Sequence, residues 1–237
     1  LLIQTVIVFV FGSLTLTAMN EHVHFILSVG LMILFAGILY KVLFRGEGRN
    51  IYFLLLIGII FGTFFGNISS FLQMLIDPNE FQVVQDRMFA SINNVNAEIL
   101  LTSSIVILLG FVYFLRFFKY LDVLSLGREH AINLGVPYDY TVKHLLIVVA
   151  ILTSVATALV GPITFLGLIV ANVAYHFIKN YRHSFTIPIA ILFSIVTLVG
   201  GQMIVERIFT FTTTLSVIIN FCGGIYFIYL VLRENKA

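Results

Sequence analysis

Long apolar runs follow one another along this chain, and polar residues gather in the gaps between them. Eight stretches stand out: Leu1 to Ala18, Phe25 to Phe44, Ile51 to Ile76, Ala97 to Phe118, Thr141 to Val160, Ile163 to Ile178, Phe185 to Val205 and Leu215 to Leu232. A hydrocarbon core of about 30 Å is crossed by about 20 apolar residues in a helix, so this pattern predicts about eight spans. Runs such as Leu145 to Val160 are apolar on every face, which suits a helix surrounded by lipid and not one resting on a soluble core. Helix is also the open-ended backbone that satisfies its own polar groups in hydrocarbon, and the short alternating segments of a barrel are missing. The expected fold is therefore all-α, a polytopic transmembrane helical bundle, with residues 1–237 forming a single membrane domain.

Charge sharpens that expectation. One set of gaps holds Lys41, Arg45, Arg49, Arg116, Lys119, Arg128, Lys143, Lys179, Arg182, Arg233 and Lys236, while the alternate set holds only Arg87 and Arg207. Eleven against two alternate correctly only when all eight stretches cross, which places the first set in the cytoplasm by the positive-inside rule. Glu21, Asp77, Glu80, Asp86, Glu98 and Glu206 then face outward. The longest outward gap, Asp77 to Asn96, carries Phe81, Val84, Met88 and Ile92 among polar residues, enough for a short helix on the membrane surface.

Composition excludes more than it assigns. The chain is 60% hydrophobic and 10% charged with a formal net charge of +2, so a water-facing shell and a nucleic-acid surface are both ruled out and lipid is the expected environment. The single cysteine, Cys222, precludes an internal disulfide or a cysteine-based zinc cluster. No Gly-rich phosphate loop with its Lys-Ser/Thr is present, and His22, His24, His130, His144, His176 and His183 are scattered over both sides without a catalytic grouping. No enzyme activity, metal or cofactor is expected. Glu21 with His22 and His24, and Asn172 with His176, have ligand-like spacing, but a solvated turn and ordinary interface hydrogen bonding explain them as simply.

The largest inward gap, Tyr120 to Tyr140, contains Leu126, Gly127, Arg128, Glu129, Ala131, Leu134, Gly135 and Val136. The middle of this segment predicts a helix of about three turns stopped by Gly135 and Pro137. Gly127, Ala131 and Leu134 would share a small, mildly apolar face, leaving two readings: a surface another protein approaches closely, or a connector lying on the headgroups.

That run resembles the cytoplasmic coupling helix of the FecCD-type permeases, the iron-siderophore, haem and cobalamin ABC importers. Farther on, Val160-Gly161-Pro162-Ile163-Thr164-Phe165-Leu166-Gly167-Leu168-Ile169-Val170 is similar to that family's GPIGFVGLIVPH, with Ala171-Asn172 where Pro-His is usual. Ser216 to Arg233, with Gly223-Gly224, resembles its closing helix, and Asp77-Pro78-Asn79-Glu80 its acidic external turn. The resemblance covers the whole chain and implies a ten-span permease of which these eight spans are the third to the tenth, the start at Leu1 lying two helices in. It further implies a siderophore importer in the bacterial cytoplasmic membrane, worked by ATP-binding subunits that grip the Gly127 to Gly135 helix. A second permease subunit and an extracytoplasmic substrate-binding protein complete the implied assembly, and Arg87 and Arg207 are candidates for docking the latter. Haem, cobalamin or a bare metal ion are alternative cargoes. A secondary transporter or a membrane scaffold is the alternative of another class, although mid-span ionisable groups for proton coupling are nearly absent.

Polar groups within spans tend to face a bundle interior or cavity, so Asn67, Ser69, Ser70, Gln73, Gln202 and Asn220 are candidates for a translocation pathway, helix–helix hydrogen bonding being the rival explanation. Gly161, Pro162 and Gly167 join them as pathway or packing residues through the resemblance. Gly58, Gly62 and Gly66 recur every fourth residue and permit close helix approach.

Overall fold

The computed structural model describes residues 2–11, 21–43, 51–86, 89–90, 92, 95, 97–178 and 182–234. Among these the secondary structure is helical: α1 (Leu2–Phe11), α2 (Glu21–Leu43), α3 (Ile51–Leu75), α4 (Pro78–Asp86), α5 (Ala97–Leu115), α6 (Phe118–Leu124), α7 (Arg128–Asn133), α8 (Tyr138–Val160), α9 (Leu166–Ile178), α10 (His183–Arg207) and α11 (Leu215–Glu234).

Each predicted apolar stretch contains a helix among the described residues, with Ile76, Arg116 to Phe117 and Ile163 to Phe165 lying outside one. Five helices among the described residues are long and apolar enough to cross a membrane: Leu56–Leu75 of α3, α5, α8, α10 and Leu215–Leu232 of α11. His22–Ile38 of α2 and Leu166–Ile178 of α9 are apolar but shorter, and α1 covers only part of the first stretch. The structure therefore shows five such spans where the sequence pattern predicts about eight.

The shortness of α9 has a visible cause. Its 13 residues reach only about 20 Å at about 1.5 Å per residue, less than a hydrocarbon core. Gly161, with φ 102° and ψ 173°, ends α8 and leads into an extended connection to Leu166, so α9 begins late. A helix that starts inside a bundle exposes N–H groups that lipid cannot satisfy. Asn220 of α11 meets this need, its Oδ1 accepting from the Phe165 N–H at 3.4 Å.

Three helix groups share the packing. α2, α5 and α8 contact one another, α9, α10 and α11 do likewise, and α1 packs on α3 and α4. Small residues set the closest approaches, as membrane helices require when lipid gives no hydrophobic reason to associate. A Cβ built on Gly110 of α5 would stand 2.9 Å from Leu152 Cδ2 of α8, and one on Gly223 of α11 would stand 2.5 Å from Phe165 Cβ. Val205, Leu215 and Ile219 form the buried centre of the α9–α11 group. The surface helix expected after Asp77 exists as α4, but its apolar side packs on protein: Val84 and Phe81 join Ile7 and Val8 of α1 with Ile76.

The helix ends divide into a basic side and an acidic side. At the acidic side the first and last parts of the chain are fastened together. The Ala90 N–H donates to Ser216 Oγ at 3.1 Å across 126 residues, and a Cβ on Gly161 would stand 2.8 Å from Ala90 Cα. Gly161 is thus required twice, by a backbone region that is essentially glycine-only and by the absence of room.

Gly161→Ala is expected to lower the unfolding temperature of the detergent-solubilised protein, with roughly 1–3 kcal/mol lost to backbone strain before the Ala90 contact is counted. Gly167→Ala serves as the control, because the space around Gly167 is open, and should leave thermal unfolding nearly unchanged.

Candidate functional site

On the basic side, the chain between α5 and α8 folds into a compact projection made of α6 and α7. Its construction follows from two glycines. Gly127, with φ 94° and ψ 167°, breaks the chain between the helices, and Gly135, with φ 81°, ends α7. The end of α7 is closed by paired hydrogen bonds, Val136 N–H to Ala131 O at 3.0 Å and Gly135 N–H to Ile132 O at 2.9 Å. This is the Schellman arrangement, with the accompanying apolar contact supplied by Ala131 and Val136, both buried.

These features revise the sequence-based picture of the segment. α7 spans six residues, under two turns, instead of about three, because the left-handed backbone at Gly127 stops it from continuing α6. Gly127, Ala131 and Leu134 do not form one open face. Ala131 is fully buried while Leu134 is 63%, Leu126 57% and Ile132 46% exposed, so the apolar surface offered outward comes from Ile132 and the two leucines flanking α7. Arg128 and Glu129 are also exposed, and the Arg128 guanidinium lies 5.8 Å from the Tyr138 ring at the start of α8.

The projection is attached to the bundle in two places. Toward α8, buried Phe117 stacks on His144 with ring centroids 5.6 Å apart, and His144 Nδ1 lies 2.7 Å from the Tyr140 carbonyl as its donor. Toward α10, Asp122 of α6 accepts two hydrogen bonds on Oδ1, from the His183 N–H at 2.8 Å and from His183 Nδ1 at 2.6 Å. The backbone N–H of His183, then its imidazole, hold the Asp122 carboxyl below its ordinary value of 3.8, with the charges of His183 and Arg182 adding to the effect. A carboxylate at the first turn of α10 also complements the positive end of the helix dipole. Sequence reasoning did not pair these two residues. They are 61 positions apart, and the only hint was an acid standing among the cations of the basic side.

The proposed pathway residues scatter. Asn67 and Ser70 are exposed on α3, as are Gly58, Gly62 and Gly66, and the space around those glycines is open. Among the described residues, no atom of another helix stands within 4 Å of a Cβ built on these glycines. Ser69 and Gln73 are directed to α1: Gln73 Nε2 donates to Ser69 Oγ at 3.3 Å, and Ser69 Oγ lies 3.1 Å from Thr5 Oγ1, a polar seam between α3 and α1. Gly161 and Asn220 hold the connections already described, Pro162 and Gly167 are exposed, and Gln202 is half-buried on α10. Arg207 ends α10, exposed on the acidic side, and Arg87 lies outside the described residues.

No group of three metal-ligating side chains occurs among the described residues. His22 contacts Glu98 of α5 at 3.3 Å, and the Asn172 amide donates to the Leu168 carbonyl at 2.9 Å, so neither ligand-like spacing gathers into a centre.

Comparison with known proteins matches this architecture. The model of the FecCD transport family aligns with residues 1–233. The petrobactin import system permease protein YclO of Bacillus subtilis is 64% identical over 237 residues, covering 100% of this chain and 75% of that protein. The petrobactin import system permease protein FatC of Bacillus anthracis is 36% identical over 233 residues, covering 98% of this chain and 66% of that protein. Among solved structures, a metal-chelate type ABC transporter in an inward-facing conformation superimposes with a TM-score of 0.80 at 21% identity, over 97% of this chain and 72% of that one.

Because the folded-state carboxyl of Asp122 is depressed, the stability it adds is present above the ordinary carboxylate value and is lost as pH falls through the lower folded value. Native and Asp122→Asn proteins should therefore differ in thermal unfolding near neutral pH and converge as pH falls below the lowered folded-state value, which a pH series of unfolding curves measures.

Proposed function

The chain belongs to the FecCD transport family, and on that premise we propose that it works as the membrane-spanning permease subunit of an ATP-driven importer of ferric siderophores. The observation that carries the reading is the 64% identity, over the full length of this chain, to a petrobactin import permease. Petrobactin, or a siderophore of closely related shape and charge, is accordingly the cargo. The chain is a multi-pass membrane protein, and the bacterial cytoplasmic membrane is where such an importer operates.

The chain's own chemistry fits this division of labour. It has no phosphate-binding loop, so the energy comes from ATP-binding subunits. We assign their contact to the projection around α7, where Leu126 and Leu134 present apolar side chains flanked by Arg128 and Glu129. Gly127, Gly135 and Val136 shape that projection, and Ala131 seats it on the bundle. A second permease subunit covers surface this chain leaves bare, and the exposed α3 positions Gly58, Gly62, Gly66, Asn67 and Ser70 are assigned to the surface between the two. Hydration of a siderophore route requires polar, small-residue walls of this kind. An extracytoplasmic binding protein delivers the loaded siderophore at the acidic side, where Arg207 is exposed, and Arg87, in the sequence gap Asp77 to Asn96, is assigned to the same docking role. ATP binding then changes the relative stability of two helix packings, and access alternates.

In cells lacking their own siderophore permeases, the full-length protein expressed with its ATPase and binding-protein partners should restore uptake of radiolabelled ferric petrobactin. Failure to do so while a ferric hydroxamate is taken up would overturn the cargo assignment. Leu134→Asp and Leu126→Asp should each weaken co-purification of the ATPase subunits on the order of tenfold while leaving the permease level in the membrane unchanged.

A further inference from the structure

We infer that the hydrogen-bonded pair Asp122–His183 is the link through which a displacement of the α6–α7 projection reaches α10, making both of them positioning residues for transport. The inference rests on the proposed function, since it concerns how the stroke of a motor is distributed.

The projection is held by contacts to more than one helix. α7 packs on α6 and on the start of α8, and α8 packs in turn with α2 and α5. α6 also contacts α10, and α10 packs with α9 and α11. The projection therefore touches two helix groups at their basic ends. Its attachment to α8 is made by broad apolar contact, through Phe117 stacked on His144 and through buried Ala131 and Val136. Its hydrogen-bonded attachment to α10 converges on a single carboxylate oxygen, which receives both the backbone N–H and the imidazole Nδ1–H of one residue.

The two kinds of contact respond differently to a push. Apolar surfaces slide at little cost over small distances, whereas short, charge-assisted hydrogen bonds are directional and weaken steeply when bent. Asp122 is well placed to bear load, because Ser125 Oγ donates to its carbonyl at 2.7 Å and ties it to the turn leading into Gly127. His183 is the first residue of α10, so force applied there acts along a 25-residue helix. At the acidic side the same helix groups are already fastened, through Ala90 with Gly161 and Ser216. A helix group pinned at one end and pulled at the other tilts.

A plain helix cap would show the same two hydrogen bonds, so the test separates stability from coupling. The full importer, reconstituted in liposomes with its ATPase and binding-protein partners, is assayed for ATP hydrolysis and for uptake of radiolabelled ferric petrobactin. With Asp122→Ala, which removes both hydrogen bonds, uptake per ATP hydrolysed is expected to fall by at least roughly tenfold. His183→Gln, which keeps the backbone N–H and therefore half of the pair, should fall less, and Asp122→Asn should recover part of the loss. If Asp122→Ala does not assemble, the His183→Gln and Asp122→Asn ratios decide the matter alone. A native ratio in every variant that assembles overturns the inference, as does a loss of assembly or thermal stability with the ratio preserved. If instead the native importer shows no ATP-dependent uptake, it is the functional reading that fails.

Discussion

Once buried in hydrocarbon, a helix satisfies its own backbone but gains almost nothing from water exclusion when it touches a neighbour. Everything specific about this fold follows from that constraint. Its helices are apolar around most of their circumference, with Ile59, Leu108, Leu109, Val196 and Phe221 all exposed. Their mutual positions must come from close approach and from a few polar contacts. Gly110 against Leu152, Gly223 against Phe165 and Gly161 against Ala90 provide the first kind, and Ser216, Asn220 and Asp122 the second.

These fixed points are not spread evenly. On the acidic side a connection lying between α4 and α5 is held by the end of α8 and the start of α11, so distant parts of the chain meet. On the basic side the projection is built from local contacts, turns and a glycine-closed helix end, and it reaches the helix groups through a small number of side chains. A region made of local contacts can move as a unit more easily than one woven from distant segments. The distribution suits a body whose one end is set and whose other end is handled.

Much of this was legible in the residues. The apolar runs located α8 and α11 to within a few positions, since Thr141 to Val160 became Tyr138–Val160 and Leu215 to Leu232 became Leu215–Glu234. Gly161-Pro162 marked a real interruption, because glycine and proline signal backbone geometry directly. What escaped was of two kinds. The length of α7 depended on Gly127 adopting a left-handed backbone, which a helical periodicity count does not register. The fastenings Asp122–His183 and Ala90–Ser216 join residues 61 and 126 positions apart, and a single sequence carries no signal that such polar groups are neighbours. The candidate pathway residues were read as a class; the fold divides them, sending Ser69 and Gln73 to α1 while Asn67 and Ser70 stay exposed on α3.

The Thr5–Ser69–Gln73 seam has a consequence for how the first helices find their alignment. Two greasy cylinders sliding past each other meet a nearly flat energy profile, so apolar side chains alone leave their vertical offset ill-defined. A row of hydroxyl and amide groups in a medium with no water acts like the index mark on a vernier. The observed setting brings Thr5 and Ser69 within hydrogen-bond distance, and a shift of either helix along its axis gives up that contact. The vertical offset of the pair is thus marked by three polar side chains on an otherwise featureless wall.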